Sequence, residues 1–290
     1  MKADFHCHTS ASDGSLSPKE LIDRALEKEL SALAITDHDT TAGYEQIQDY
    51  AQENGLDLIP ASEISCQWQG HTIHVVGLNI DVDNERLQAG LKANRIKRWT
   101  RAFEIDAKFQ SRRFHGLLEK ILPAVGEGMI GRNHFAQALI EEGHIKNHQQ
   151  AFDKFLKKGK PMYAPVEWPE LTEVVDWILD ARGIAVIAHP HIYKISSNKL
   201  NKMIEDFKAA GGQALEVVNQ PRPCAEQIGM AQRAERYELY ASLGSDFHRP
   251  EQSWRDLGWL APMPKACQPV WQLFEECFSG TAIEKGAQSS

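Results

Sequence analysis

Met1-Lys2-Ala3-Asp4-Phe5-His6-Cys7-His8-Thr9-Ser10-Ala11-Ser12-Asp13-Gly14-Ser15 opens the chain and decides how the rest is read. A strand over Asp4–His8 alternates its side chains, so His6 and His8 fall on one face, where two imidazoles can grip one cation. Asp13 follows in a polar turn ending at Gly14, from which its carboxylate can swing back toward the same point. Taken alone the stretch fits an exposed strand with two incidental histidines just as well. What decides between the two is whether the remaining chain supplies partners.

Working outward, Ser17-Pro18-Lys19-Glu20 is a capping box with proline at the first helical position, and its helix should reach Lys28. Leu33 to Thr36 reads as a buried strand ending in Asp37-His38-Asp39. A helix over Thr41–Glu53, closed by Asn54-Gly55, leads to a strand from Leu58 that runs into Ser62-Glu63-Ile64-Ser65. This alternation predicts parallel α/β architecture, whose sites gather at the carboxyl ends of strands, where His38 and Glu63 fall. His71 to Leu78 is a further strand. His71 and His74 lie an odd number of residues apart and face opposite sides, so His74, beside the apolar run, is assigned inward and His71 to solvent.

From Asp81 the rhythm changes. Leu87–Leu122 is helical in pattern, and helices continue over Phe135–Ile140 and Gln149–Leu156 with no strand between them. Residues 91–159 therefore read as a helical insertion capping the substrate, set into a main domain of residues 1–90 and 160–285. Lys92–Arg113 carries eight basic residues against Glu104 and Asp106, a local charge of +6. A solvated helix face is the plain account of such a run, but Arg95, Arg98 and Arg101 recur every third residue, which suits a clamp on phosphate. Gly126-Glu127-Gly128-Met129-Ile130-Gly131 matches G-x-G-x-x-G yet follows a helical pattern ended by Pro123, not a strand. It is read as a turn delivering Arg132 and His134 to the next helix start, a place that favours an anion.

After Tyr163-Ala164-Pro165 the strands resume. A helix over Glu170–Ala181 precedes a buried strand, Ile184–Ala188, ending in His189-Pro190-His191. Ala214–Val218 is another, and Tyr240–Leu243 ends in Gly244-Ser245-Asp246-Phe247-His248, where an extended segment would present Asp246 and His248 on one face. Trp168, Trp177, Trp254, Trp259 and Trp271 are assigned to packing, the chain from Pro269 to one packing helix, and residues 286–290 to a disordered end.

The bulk numbers exclude several classes. A net charge of -8 over 290 residues argues against wholesale coating of nucleic acid or anionic membrane, so phosphate affinity has to be local. Five cysteines, Cys7, Cys66, Cys224, Cys267 and Cys277, include no C-x-x-C pair and suit reduced thiols. With no apolar leader and no stretch of transmembrane length, the expected location is cytoplasmic, and no membrane or obligate protein partner is implied.

His6, His8, Asp13, His38, Glu63, His74, His189, Asp246 and His248 all fall at predicted strand ends. Six imidazoles and three carboxylates exceed the needs of one ion and suit two or three divalent cations, with Glu63 or Asp246 bridging. Three such ions against three carboxylates leave about +3, which a phosphate ester and a metal-bound hydroxide would balance. Without a thiolate among the ligands, manganese comes first, and zinc or iron is compatible. No Ser or Cys stands beside a base in a nucleophile motif, so water is the expected attacker.

His6-Cys7-His8, Asp13, Thr36-Asp37-His38, Glu63, His74, Ala188-His189-Pro190 and Ser245-Asp246-Phe247-His248 resemble, in the same chain order, the motifs of the PHP (polymerase and histidinol phosphatase) family. The resemblance runs from residue 2 to about 260. It implies an α/β fold, a distorted (β/α)7 barrel with a trinuclear metal centre, and a phosphoesterase reaction. By motif, His6, His8, Glu63 and Asp246 would hold one ion, Glu63, His74 and His189 a second, and Asp13, His38 and His248 a third, with Asp13, His38 and His248 also taken as catalytic. Within the family the chain is similar to the branch of nucleoside 3′,5′-bisphosphate phosphatases and 5′→3′ exoribonucleases, whose substrates are nucleotides or short 5′-phosphorylated RNA. Arg98, Arg101 and Arg132, with His134, look like that branch's phosphate-binding residues. A small-metabolite phosphatase of the histidinol-phosphate type and a non-catalytic binding module are the alternatives. His191 stands where the family often has glycine and is assigned only to the rim.

Overall fold

Strands buried on both faces carry almost unbroken apolar runs, with polar side chains gathered at their ends. The computed structural model, which describes residues 2–274 apart from 127 and 253, follows that rule. Strand β1 (Ala3–Cys7), β2 (Ala32–Ile35) and β3 (Asp57–Ile59) form one parallel sheet in the order β1-β2-β3. Strands β4 (Ala61–Trp68), β5 (His71–Leu78), β6 (Ile184–Ile187), β7 (Ala214–Val218) and β8 (Tyr240–Leu243) form a second, in sequence order.

The expected all-parallel rhythm is corrected at β5, which runs antiparallel to both β4 and β6. The cause is local: Gln69 and Gly70, with φ of +46° and +74°, make a two-residue hairpin turn between β4 and β5. Pro60, between β3 and β4, marks where the chain passes from one sheet to the other. The sheets touch through two parallel bridges, His38↔Glu63 and Cys7↔Phe247. At the second of these junctions the buried Asp4 carboxylate accepts the backbone N–H groups of Ser245 (2.9 Å) and Gly258 (2.8 Å), fastening β1 to the chain beyond β8.

Helix α1 (Pro18–Glu27) has the expected capping box, Ser17 and Glu20 each serving the other's backbone N–H. The single helix expected over residues 41–53 is two short ones, α2 (Ala42–Glu45) and α3 (Gln48–Glu53), split at Gln46-Ile47. The long helical run is likewise interrupted. Helix α4 (Glu85–Gln110) stops before Arg113 and Gly116, both in left-handed backbone, and α5 (Leu117–Val125) starts afresh. Helices α6 (Arg132–Glu141) and α7 (His148–Ala151), the latter continuing into a π turn over Phe152–Leu156, complete this region. Helices α8 (Leu171–Asp180), α9 (Ser197–Ala209) and α10 (Ala225–Arg236) then alternate with β6, β7 and β8.

Leu87 and Leu91 of α4 belong to the core under the five-stranded sheet, where Gly90 lies so close to Trp177 that a Cβ would meet its ring at 2.5 Å. Ala102, Ile105 and Phe109 of the same helix belong to a separate core with Phe135, Leu139 and Leu156. Residue 91 thus falls inside one continuous helix that serves both cores. Trp168 and Trp177 are buried, but Trp254 and Trp259, 65% and 48% exposed, are not packing residues as expected, because they stand in the loop beyond β8 and not on a helix. The tail is helical from Gln272 to Phe274. The rest of the expected tail helix, Cys277 and residues 286–290 lie outside the described residues. Among the described residues no helix is long and apolar enough to cross a membrane.

Candidate active site

Glu63, fully buried on β4, is the centre of the constellation. Its Oε1 lies 2.8 Å from His74 Nδ1, 2.9 Å from His189 Nε2 and 3.5 Å from His6 Nε2. Its Oε2 lies 2.8 Å from His38 Nδ1 and 3.5 Å from His8 Nε2. Five imidazoles from four strand ends therefore converge on one carboxylate. Asp246 Oδ1 sits 3.3 Å from His8 Nε2 and 3.6 Å from His6 Nε2, and Asp13 Oδ1 sits 3.3 Å from His248 Nε2 and 3.8 Å from His38 Nε2. All nine residues read from the strand ends are brought together.

The backbone at the strand ends is bent to aim them. His189 and Asp246 have φ of +32° and +52°, in the left-handed region that residues with side chains rarely occupy. The expected extended segment over residues 246–248 is therefore a bend. Asp246 faces His6 and His8, and His248 faces Asp13, with His248 Nδ1 lying 2.9 Å from the Asp246 carbonyl oxygen. Gly244 is needed here, since a Cβ would meet that of His6 at 2.2 Å.

Outer partners orient the inner ones. His6 Nδ1 is 2.6 Å from Glu216 Oε2, which turns Nε2 toward Glu63. Asn133 donates its amide to Asp13 Oδ2 at 2.6 Å, leaving Oδ1 for the histidines. Arg255 donates to Asp246 Oδ2 at 2.5 Å. Asp37 accepts Thr9 N–H, Thr9 Oγ1–H and Ser12 Oγ–H, at 2.8, 2.6 and 2.6 Å, and so shapes the loop that carries Asp13.

The charges do not close among themselves. Burial opposes ionisation of Glu63 and Asp13, yet the imidazoles around them, His74 and His38 for Glu63, His248 and His38 for Asp13, hold both carboxyls well below the ordinary value. Burial pushes His8 down to about 3, with His248 adding to the effect. At His248, Asp13 and Asp246 overcome burial and hold the ring up to about 9. Meanwhile His6 Nε2, His8 Nε2, Asp13 Oδ1, His38 Nδ1 and Glu63 Oε2 are buried without a hydrogen-bond partner. His38 Nδ1 and Glu63 Oε2, though 2.8 Å apart, are not aligned as a hydrogen bond. Atoms that approach closely while aiming elsewhere fit ligation of a common cation. Four such groups have donor atoms within 4.8 Å of one another: His8, Asp13, His38 and His248; His6, Glu63 and His189; His6, His8 and Asp246; His38, Glu63 and His74. With only imidazole and carboxylate donors, this is a site for divalent metal.

Beside it a cavity of about 180 Å³ is lined by Asp13, His38 and His74 together with Arg98, Arg101 and Arg132. Arg98 is already engaged, donating through Nε to Asp39 Oδ2 at 2.6 Å and through Nη2 to Ser65 Oγ at 2.7 Å, with its guanidinium over Trp168. Arg101 is not: its Nε is buried without a partner, and burial, with Arg132 and Arg98 nearby, pulls the group down to about 9. Burial also lowers Arg132, whose side chain lies over Phe152 at the start of α6. His134 Nδ1 accepts the Gly131 N–H at 3.0 Å, so this ring closes the start of its own helix. The glycine-rich turn leads into α6, with no strand before it.

Sequence reasoning missed Glu216, Asn133, Asp39 and Asp37. A glutamate inside the apolar run Ala214-Leu215-Glu216-Val217-Val218 was a signal for the first, and two aspartates flanking His38 were a signal for the last two. Nothing local marks Asn133.

The sequence matches the PHP domain over residues 4–181. It is 39% identical, over 94% of this chain and 96% of the relative, to a 3′,5′-nucleoside bisphosphate phosphatase of Chromobacterium violaceum. It is 38% identical, over 94% of each chain, to a 5′-3′ exoribonuclease, Rnm, of Escherichia coli. The fold superposes on a Chromobacterium violaceum amidohydrolase, solved with sulfate and no metal, with a TM-score of 0.90 at 38% identity, covering 96% of this chain and 97% of that one.

Proposed function

This chain belongs to the PHP domain family, and on that premise we propose that it is a metal-dependent phosphoesterase of nucleotides. Its reaction would remove the 3′-phosphate of nucleoside 3′,5′-bisphosphates and release nucleotides 5′→3′ from short 5′-phosphorylated RNA. Two similar proteins bear those two activities as their names. The observation that carries the reading is one cavity lined both by the metal-ligand side chains Asp13, His38 and His74 and by Arg98, Arg101 and Arg132.

His6, His8, Asp246 and Glu63 are assigned to one ion, Glu63, His74 and His189 to a second, and Asp13, His38 and His248 to a third, with manganese the first choice of metal. His38 reaches both Glu63 and Asp13, so it stands between the second and third positions. Divalent cations there supply charge to draw phosphoryl oxygens and to activate water. The residues of this chain do the rest. Arg101 and Arg132, half-buried and of like charge, receive a terminal 5′-phosphate, while Arg98, fixed on Asp39, lines the same cavity.

The 3′-phosphate, one nucleoside away, then lies over the metal ligands. Water oxygen ends on phosphorus, the bond from phosphorus to O3′ breaks, and O3′ takes a proton. In the bisphosphate and at an RNA 5′ end this is the same bond.

The two sheets are read as one distorted seven-stranded barrel, β3 and β4 counting as a strand bent at Pro60, which the Cys7↔Phe247 and His38↔Glu63 bridges support. Residues 91–159 form the cap that brings the arginines over it. The deciding test offers the protein, with manganese, adenosine 3′,5′-bisphosphate, a short 5′-phosphorylated RNA and histidinol phosphate in parallel. Hydrolysis of the first two alone is expected. Hydrolysis of histidinol phosphate alone would transfer the assignment to small metabolites, and no hydrolysis would leave a binding module.

A further inference from the structure

The ligand cluster has a second flank. The arginine cavity lies against His38, just beyond β2, and against Ser65 of β4 and His74 of β5. A separate cavity of about 520 Å³ opens beyond the ends of β6 and β7, lined by His191, Gln220, Pro221, Arg222, Pro223 and Cys224, among others. Short links join it to the cluster. His191 follows His189 by two residues, and its Nδ1 lies 2.8 Å from Nδ2 of Asn219, which directly follows β7. Glu216, on the same strand, orients His6. His189 and His6 both contact Glu63, at 2.9 and 3.5 Å, which continues the link into the cluster.

We propose that this second cavity is the subsite for the nucleotide on the 3′ side of the scissile phosphate when the substrate is RNA. The inference rests on the phosphoesterase reading above and adds to it the path of the RNA chain. With the 5′-phosphate held among Arg101 and Arg132, the chain beyond the reacting phosphorus must leave by the other flank. The cavity there is of a size that takes a small ligand. Arg222 is exposed on its wall and offers a guanidinium to the next phosphate. Pro221 and Pro223 present apolar surface on which a base can rest without being read by sequence. The first turn of α10 opens on the same space, and Glu226, also on the wall, is turned back to that turn. A nucleoside bisphosphate has nothing to place here. The two substrates therefore differ in their use of this cavity while sharing the bond that is broken.

The test compares kcat and KM for adenosine 3′,5′-bisphosphate and for a 5′-phosphorylated trinucleotide RNA, using the full chain with manganese and the variants Arg222→Ala and Arg222→Lys. The ratio of kcat/KM for RNA over bisphosphate should fall about tenfold or more in Arg222→Ala, a change of the size expected for one charge-assisted contact. KM for RNA should carry the fall, and Arg222→Lys should recover part of it. An unchanged ratio, or a fall carried by kcat at constant KM, overturns the subsite while leaving the phosphoesterase reading intact. If the unmodified protein hydrolyses neither nucleotide substrate, that reading falls and the subsite falls with it.

Discussion

The ligand cluster and the arginine pocket share one cavity and carry opposite demands. In the cluster, five imidazoles surround one carboxylate, Glu216, Asn133 and Arg255 brace His6, Asp13 and Asp246, and buried unpartnered nitrogens and oxygens lie close to one another. Such an array suits cations. In the pocket, Arg101 and Arg132 are half-buried beside Arg98 with the Arg101 Nε–H left without a partner, and such an array suits an anion. The difference teaches that neither half is a self-contained structural network. Together they specify a ligand bearing one phosphate to be held and, a nucleoside away, another to be cut.

The largest effect is expected on the cluster side. Asp13→Ala or His248→Ala should lower turnover by about a thousandfold or more while the circular dichroism spectrum stays native, because ligands at strand ends add little to the core. Metal content by atomic spectroscopy should drop by one ion per chain. Full activity in either variant would remove the metal mechanism.

On the pocket side the loss should be in binding. Arg101→Ala and Arg132→Ala should raise KM for 5′-phosphorylated substrates by roughly ten- to a hundredfold, with little change toward an aryl phosphate that has no second phosphate. Equal losses on both would mean that the arginines serve the scissile group. Arg98→Ala should differ in kind. It strands the buried Asp39 carboxylate, and breaking such a pair costs about 3–5 kcal/mol, to be seen as a lower melting temperature before any kinetic change.

Asn133→Ala tests the seam between the halves, since this residue of α6 holds the metal-side Asp13. Affinity for the third ion should weaken by about ten- to a hundredfold, the usual range for losing an outer partner of a metal ligand. Metal titration followed by calorimetry would show it, and an unaltered isotherm would leave the bond without a role in the site.

A charge pair complete within the chain should matter least. Burial opposes ionisation of Asp256, but Lys28 and Arg24 outweigh it and keep the carboxyl below its ordinary value. A lowered carboxyl stabilises above its unfolded value of 3.8 and loses that stabilisation as pH falls below it. Asp256→Asn should therefore cost less than about 1 kcal/mol near neutral pH, leave the kinetics alone, and flatten the loss of stability below pH 4. A kinetic defect would show that the loop from Arg255 to Gly258 tunes Asp246.

The metal side was legible because period-two alternation and strand ends follow from short-range geometry: His6 with His8, His38 after Thr36, and His189 after Ala188 need only a strand to place them. Asp246 and His248 were found for the wrong reason, since a left-handed bend, not an extended face, separates their targets. Sheet direction was missed although Gln69-Gly70 was present as a hairpin signal. The partners of Arg98 could not be read, because Asp39 and α4 meet only through tertiary packing, and spacing alone made Arg95, Arg98 and Arg101 look equivalent. In the structure Arg95 and Arg98 are spent on Asp39, and Arg101 is left free.

The central claim, that the arginine side holds one phosphate while the metal side cuts the other, is tested most directly by the regiochemistry of one reaction. The protein with manganese should convert adenosine 3′,5′-bisphosphate to adenosine 5′-monophosphate and inorganic phosphate, with phosphorus NMR showing loss of the 3′ resonance alone. Accumulation of adenosine 3′-monophosphate would contradict the account, because the phosphate assigned to the arginines would then be the one lying over the metal ligands.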